Sequence, residues 1–193
     1  MLVPVITGAQ APPDQQHAVG PRWPQAVLAP AFLASFALDG RPAYALRLAV
    51  VAVVLVWGGR LWRPPTEPGV HRWLTWLGAW CLPLGYGLLT AWPLQRALGL
   101  HVVFVGAFST LALAVGFHVT AAHGSRPGRL SARASPMLAC GLMMALALLA
   151  RPAMALDLSR YLMWMTVAAA AFIGAGVSWL LAAAQVWAPG PRR

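Results

Sequence analysis

The sequence predicts an all-α, polytopic helical membrane bundle of about six transmembrane helices, forming one membrane unit over residues 1–193. Three observations carry that reading. Hydrophobic residues make up 60% of the chain and charged ones only 9%, against about 25% charged in a soluble domain. The apolar residues fall in long uncharged blocks, such as 73–95 and 161–191, each long enough to cross the ~30 Å hydrocarbon layer as a helix of about 20 residues. The 14 arginines lie mostly between the blocks, and lysine is absent.

Taken in chain order, the predicted spans are about 25–38, 43–62, 73–92, 100–122, 136–156 and 161–187. Met1 to Ile6 is too short for the apolar core of a cleavable signal peptide and lacks a basic start, so insertion is expected to rely on the first true helix. The first span is the weakest: it is short and interrupted by Pro30, and reads either as a crossing or as a re-entrant or tilted helix. Between the second and third spans, Pro64-Pro65-Thr66-Glu67-Pro68-Gly69 suits neither helix nor strand and reads as a solvated loop. Arg126-Pro127-Gly128-Arg129 reads as a basic turn. In the last span, Ala168 to Ala171 followed by Gly174, Gly176 and Ser178 is a run of small residues that lets helix backbones approach closely. The 17 Pro and 18 Gly are read as kinks and close contacts, because in a membrane neighbouring helices satisfy the backbone groups they free.

Topology follows from the arginines. With six spans, Arg22, Arg60, Arg63, Arg72, Arg126, Arg129, Arg133, Arg192 and Arg193 share one side, and Arg41, Arg47, Arg96, Arg151 and Arg160 the other. The excess places both termini in the cytoplasm. If the first span does not cross, only the amino-terminal segment changes sides. This placement also argues against a nucleic-acid reading of the +10 formal charge. Trp23, Trp62, Trp73, Trp92 and Trp187 at span ends fit an interfacial belt.

The four acids, Asp14, Asp39, Glu67 and Asp157, fall in loops or at helix ends, so no carboxylate sits deep in a span. Nucleophilic triads, Walker loops and nucleotide fingerprints are also missing, which argues against soluble-enzyme chemistry. Cys81 and Cys140 lie inside apolar segments and read as packing residues. What remains is histidine. His101, His118 and His123 fall on or beside the fourth span, where an imidazole is a candidate metal ligand, haem ligand or proton carrier. On a regular α-helix His101 and His123 stand ~33 Å apart along the axis and within ~40° of one face, with His118 turned by ~100° from His101. They therefore imply two sites, one per membrane interface, each needing ligands from elsewhere. Gly106, Ser109, Gly116 and Thr120 form a small-residue stripe on the flank of that face. His17 and His71 read as solvated loop residues, and Arg151 as a snorkelling arginine or a partner for an anion. The residues alone leave interhelical hydrogen bonding and metal or haem ligation both open.

The fourth span, His101-Val-Val-Phe-Val-Gly106-Ala107-Phe-Ser-Thr110-Leu-Ala-Leu113-Ala114-Val115, and its continuation through Val119 to His123 and Arg126, resembles the most characteristic segment of the NnrS family. The histidines at both ends, the Gly-Ala pair, Thr110, the Leu-Ala-Val run and the closing Arg126 coincide without a gap. Val3-Pro4-Val5-Ile6-Thr7 and Leu84-Gly85-Tyr86 are weaker echoes. Two positions depart: His118 stands where the family has arginine, and Ala122-His123-Gly124-Ser125-Arg126 stands where it has G-H-T-G-R.

The resemblance implies an integral protein of the bacterial inner membrane that binds haem, copper or both and is linked to nitric oxide and denitrification or nitrosative stress. It points to a binding role more than to an enzyme. It makes His101 and His123 the candidate cofactor ligands, with His118 as a further metal ligand and Arg126 and Arg151 in support. NnrS proteins are about twice this long, and the chain resembles their carboxyl-terminal half. A six-coordinate haem takes two axial ligands, so the expectation is a homo-oligomer or a second membrane subunit that completes each site. Alternatives are a small transporter or channel half, whose stripe and histidines line a path, and a metal-free structural subunit.

Overall fold

The computed structural model describes residues 23–124 and 134–188. Arg126, His17 and the Val3–Thr7 echo lie outside the described residues. Within them, seven helices follow in order: α1 (Trp23–Ala34), α2 (Gly40–Val51), α3 (Val70–Ala91), α4 (Arg96–His101), α5 (Thr110–His123), α6 (Ala134–Leu156) and α7 (Tyr161–Trp187). Two of them are extended or joined by π-helical turns: α2 runs on through Ala52–Gly58, and α4 passes into α5 through Val102–Ser109.

Five segments are long and apolar enough to cross a membrane: Gly40–Gly58, Val70–Ala91, Pro93–His123, Ser135–Leu156 and Leu158–Trp187. They match the second to sixth predicted spans. The first predicted span is a 12-residue helix with Pro30 inside it, followed by a 3-10 turn at Ser35–Ala37. Twelve residues rise only ~18 Å, so this helix falls short of the ~30 Å hydrocarbon layer. It is tied to the next helix through Arg47, whose Nε donates to Ser35 Oγ (3.0 Å) and whose Nη2 donates to the Ser35 carbonyl (2.9 Å). The guanidinium lies 4.0 Å from the Phe36 ring centroid, which fits a cation held against an aromatic face. Ser35 is fully buried and its hydroxyl also donates to the Phe32 carbonyl. Ser35→Ala strands the Arg47 Nε–H in apolar surroundings, and the expected cost is about 1–3 kcal/mol, read as a lower melting temperature in detergent.

α3 and the fourth span form the centre. α3 packs on α2, α4, the π turn and α5, and the hairpin of α6 and α7 closes the other side. Near one end Tyr44, Val51, Tyr86, Leu89 and Val103 form a buried cluster. The α3 backbone crosses α4 at Gly85 and Gly99, where a Cβ on either residue would lie 3.1 Å from the other's carbonyl oxygen. Toward the other end, Phe117 and Ala121 pack with Met137 and Ala182, while Cys140 and Met144 pack on Ala175. Small residues of α7 are buried at Ala171, Ala175 and Ala182, spaced by whole turns, and Gly174 abuts Met143 of α6. Gly176, in the predicted small-residue run, has nothing within 4 Å of its Cβ position. Leu162, Phe172, Ile173, Val177, Leu180 and Leu181 of the same helix are exposed, as a lipid-facing surface requires.

The carboxylate of Asp157 organises the turn between α6 and α7. It accepts from Ser159 Oγ at 2.6 Å and from Trp164 Nε1 at 3.5 Å. The Ser159 hydroxyl is the first cause holding this carboxyl below its usual range, with Trp164 and Arg160 acting in the same direction. Trp62, Trp73, Trp92 and Trp187 are exposed at or just beyond span ends, in keeping with an interfacial belt.

Candidate functional site

The histidines are distributed by two features that local sequence did not announce. The first is the π turn at Val102–Ser109, where each residue advances less than the ~100° of an α-helix. Ser109 Oγ donates to the Phe104 carbonyl (3.0 Å) and Thr110 Oγ1 to the Val105 carbonyl (3.1 Å), both five residues back. Small side chains line the turn where neighbours come close: a Cβ on Gly106 would lie 3.1 Å from Cys81 Sγ. The regular wheel that put His101 and His123 on nearly one face does not hold across this turn.

The second feature is an earlier start to α3. Gly69, with φ of +146°, ends the Pro64–Gly69 loop, and the helix begins at Val70. The sequence reading of His71 as a solvated loop residue is therefore corrected: His71 is buried, 5% exposed, in the first turn of α3. It lies on the buried face that continues through Thr75, Gly78, Ala79, Gly85, Tyr86 and Leu89.

At this end of the bundle His71 meets His118. His118 Nδ1 lies 3.3 Å from His71 Nε2, and the two ring centroids are 5.3 Å apart. Phe117 covers His71 with its ring centroid at 5.7 Å. The Nδ1–Cε1 edge of the His71 ring is seated under Gly69, where a Cβ would stand 2.9 Å from Cε1 and 3.2 Å from Nδ1. Thr75 Oγ1 donates to the His71 carbonyl at 2.8 Å, and Arg72 pairs with Glu67 beside it. His118 is only half-buried, which leaves the pair an approach from one side.

His123 stands apart from this pair. It is exposed, and its Nδ1 lies 2.9 Å from the Val119 carbonyl oxygen one turn back. In the tautomer with the proton on Nδ1, that nitrogen donates to Val119 and Nε2 keeps a free lone pair. A metal-ligating histidine has this arrangement, one nitrogen held by a carbonyl and the other presented. At the opposite end, His101 Nε2 lies 3.1 Å from the Ala147 carbonyl oxygen of α6. Arg151 is one turn further along α6 from Ala147, and its Nη1 lies 3.4 Å from Met154 Sδ. His101 thus meets α6 one turn before Arg151, while His118 is joined to a histidine that the sequence reading had set aside.

The predicted stripe does not share one face. Gly106 faces Cys81 and Leu148, Gly116 faces the Trp179 ring, and Thr120 donates back to the Gly116 carbonyl. Trp179 Nε1 donates to the Leu113 carbonyl at 2.8 Å, so these small residues serve helix packing.

The donor geometry separates the cofactors. His123 fits a single axial haem ligand, since Nε2 is free and the side chain is open to a flat group. His71 and His118 fit a metal ion that takes both nitrogens on adjacent positions, and not the two faces of one haem, which would hold them ~4 Å apart at bonds of ~2 Å. Among the described residues, no three or more His, Cys, Asp or Glu side chains gather where a metal ion could sit.

A family model described as NnrS protein matches residues 2–189. No curated protein and no solved structure matches the chain.

Proposed function

The chain belongs to the NnrS family, and from that premise we propose that it is a multi-pass protein of the bacterial inner membrane that holds haem, copper or both and binds nitric oxide at an open metal position. The observation that carries this reading is the His123 imidazole, held through Nδ1 by the Val119 carbonyl with Nε2 free on an exposed surface. When bound there, haem would supply the iron on which a small diatomic molecule binds. The chain's own residues would hold and neutralise it: His123 as axial donor, with Arg126, three residues on in sequence, as a cation for an anionic edge. At the opposite end His101 and Arg151 form the corresponding donor and cation.

His123 offers one axial ligand, which leaves the opposite position of the iron open to the diatomic molecule; a second copy of the chain or another membrane subunit would supply a further ligand only where a site is six-coordinate. The arginine excess supports a carboxyl terminus in the cytoplasm. The role is binding, linked to denitrification or nitrosative stress, with no residue assigned to catalysis.

The test is spectroscopic. Protein purified in detergent is expected to show a Soret band that His123→Ala reduces to below about a tenth, because the iron loses its axial donor. A variant that stays folded and keeps the full band removes His123 from the haem site.

A further inference from the structure

We propose that His71 and His118 are the two protein ligands of a copper ion, separate from the haem position at His123. The choice of ion rests on the haem- and copper-binding reading above. The site itself rests on geometry.

Two nitrogens bonded to one metal at ~2.0 Å, with a tetrahedral angle of ~109°, stand ~3.3 Å apart. His71 Nε2 and His118 Nδ1 are 3.3 Å apart and come from different helices, α3 and α5. The pair is held in place before any ion arrives. Gly69 leaves no Cβ over the His71 ring, whose edge would otherwise meet it at 2.9 Å, and Phe117 covers the ring from α5. Imidazole suits the late first-row ions, and among divalent ions affinity rises to a maximum at copper. Two protein donors leave further positions open, reachable past the half-buried His118, for water or a small exogenous ligand. Arg72, next in sequence, is paired with Glu67, so its charge is countered at the edge of the site. The same separation also accommodates an N–H···N hydrogen bond between two neutral imidazoles, and that arrangement is the alternative the test must separate.

The experiment titrates the full-length protein in detergent with cupric ion against a chromophoric chelator, in parallel with zinc, and records the electron paramagnetic resonance spectrum of the copper-loaded protein. The expected result is one copper per chain with two-nitrogen coupling. His71→Ala and His118→Ala are each expected to weaken binding at least tenfold, since loss even of a group that only orients a ligand costs ten- to a hundredfold. His118→Gln serves where a variant fails to fold, and the melting temperature of each variant is recorded. His123→Ala is expected to lose the Soret band and keep the copper.

Copper binding unchanged in a folded His118 variant overturns the proposal. So does loss of copper that follows His101→Ala or His123→Ala instead, although the reading of the chain as a haem and copper protein then stands. Wild-type protein that takes up zinc but no copper overturns the assignment of the ion. Protein that binds neither copper nor haem overturns both this site and the reading beneath it, leaving the two imidazoles hydrogen-bonded.

Discussion

Gly85→Val is expected to abolish the packing of α3 on α4 and to cost about 3 kcal/mol or more, the upper range for overpacking a well-filled interior. A Cβ at position 85 would lie 2.5 Å from Val103 Cγ2, and 3.1 Å from both the Gly99 carbonyl oxygen and the Val103 nitrogen. The two latter atoms are backbone, so no rotamer change relieves the contact. In a bilayer, helices associate through close packing and not through exclusion from water, which makes such a crossing a main source of stability. Gly87→Val is the matched control: it sits two residues away on the same helix, and its Cβ position has nothing within 4 Å. Labelling of Cys81 and of the buried Cys140 with a thiol-reactive dye during heating reads the difference. The Gly85 variant is expected to label at a much lower temperature, and the Gly87 variant at the wild-type temperature. Equal melting of both would show that the crossing is looser than the geometry requires.

Gly69→Val is expected to separate His71 from His118 and to weaken copper binding at least tenfold. The backbone at Gly69 has φ of +146°, a conformation that a β-branched residue rarely adopts, and forcing it costs about 1–3 kcal/mol. The new Cβ would also stand 2.9 Å from His71 Cε1. The imidazole must swing away, and with it Nε2 leaves its position 3.3 Å from His118 Nδ1. Parallel measurement of melting temperature and copper affinity separates the two consequences. A stability loss with unchanged copper affinity would mean that the loop, and not the pair, depends on this glycine.

The five spans were legible because their apolar blocks are long and their arginines fall between them, a pattern that no soluble fold imposes. The short first helix was legible only in part: Pro30 marked it as weak, but its attachment through Arg47 to Ser35 is a tertiary contact twelve residues long that local pattern does not contain. The π turn at Val102–Ser109 was invisible for the same reason. Its residues are apolar or small, as in any membrane helix, and what accompanies the wider turn is the close approach of Cys81 to Gly106 and of Val103 to Gly85. The consequence for the site was direct, since the α-helical wheel placed His101 and His123 together and the structure sends one to α6 and leaves the other exposed.

His71 was missed through a boundary error. The sequence places the Pro-rich loop at Pro64–Gly69 and begins the span only at 73, yet the helical spacing of Thr75, Gly78, Leu82 and Tyr86, extended one turn back, lands on His71. That period was the signal in the sequence that could have found the pair. Arg126, singled out by the resemblance, lies outside the described residues.

The most direct test of the central claim, that the imidazoles of this membrane bundle hold a haem or copper group, is an absorption spectrum of the wild-type protein, oxidised and reduced, with metal analysis of the same sample. Cells supplied with haem precursor and copper provide the protein, purified in detergent. The expected result is a Soret band that shifts on reduction, stoichiometric metal, or both. A folded, monodisperse protein that is colourless and metal-free would contradict it.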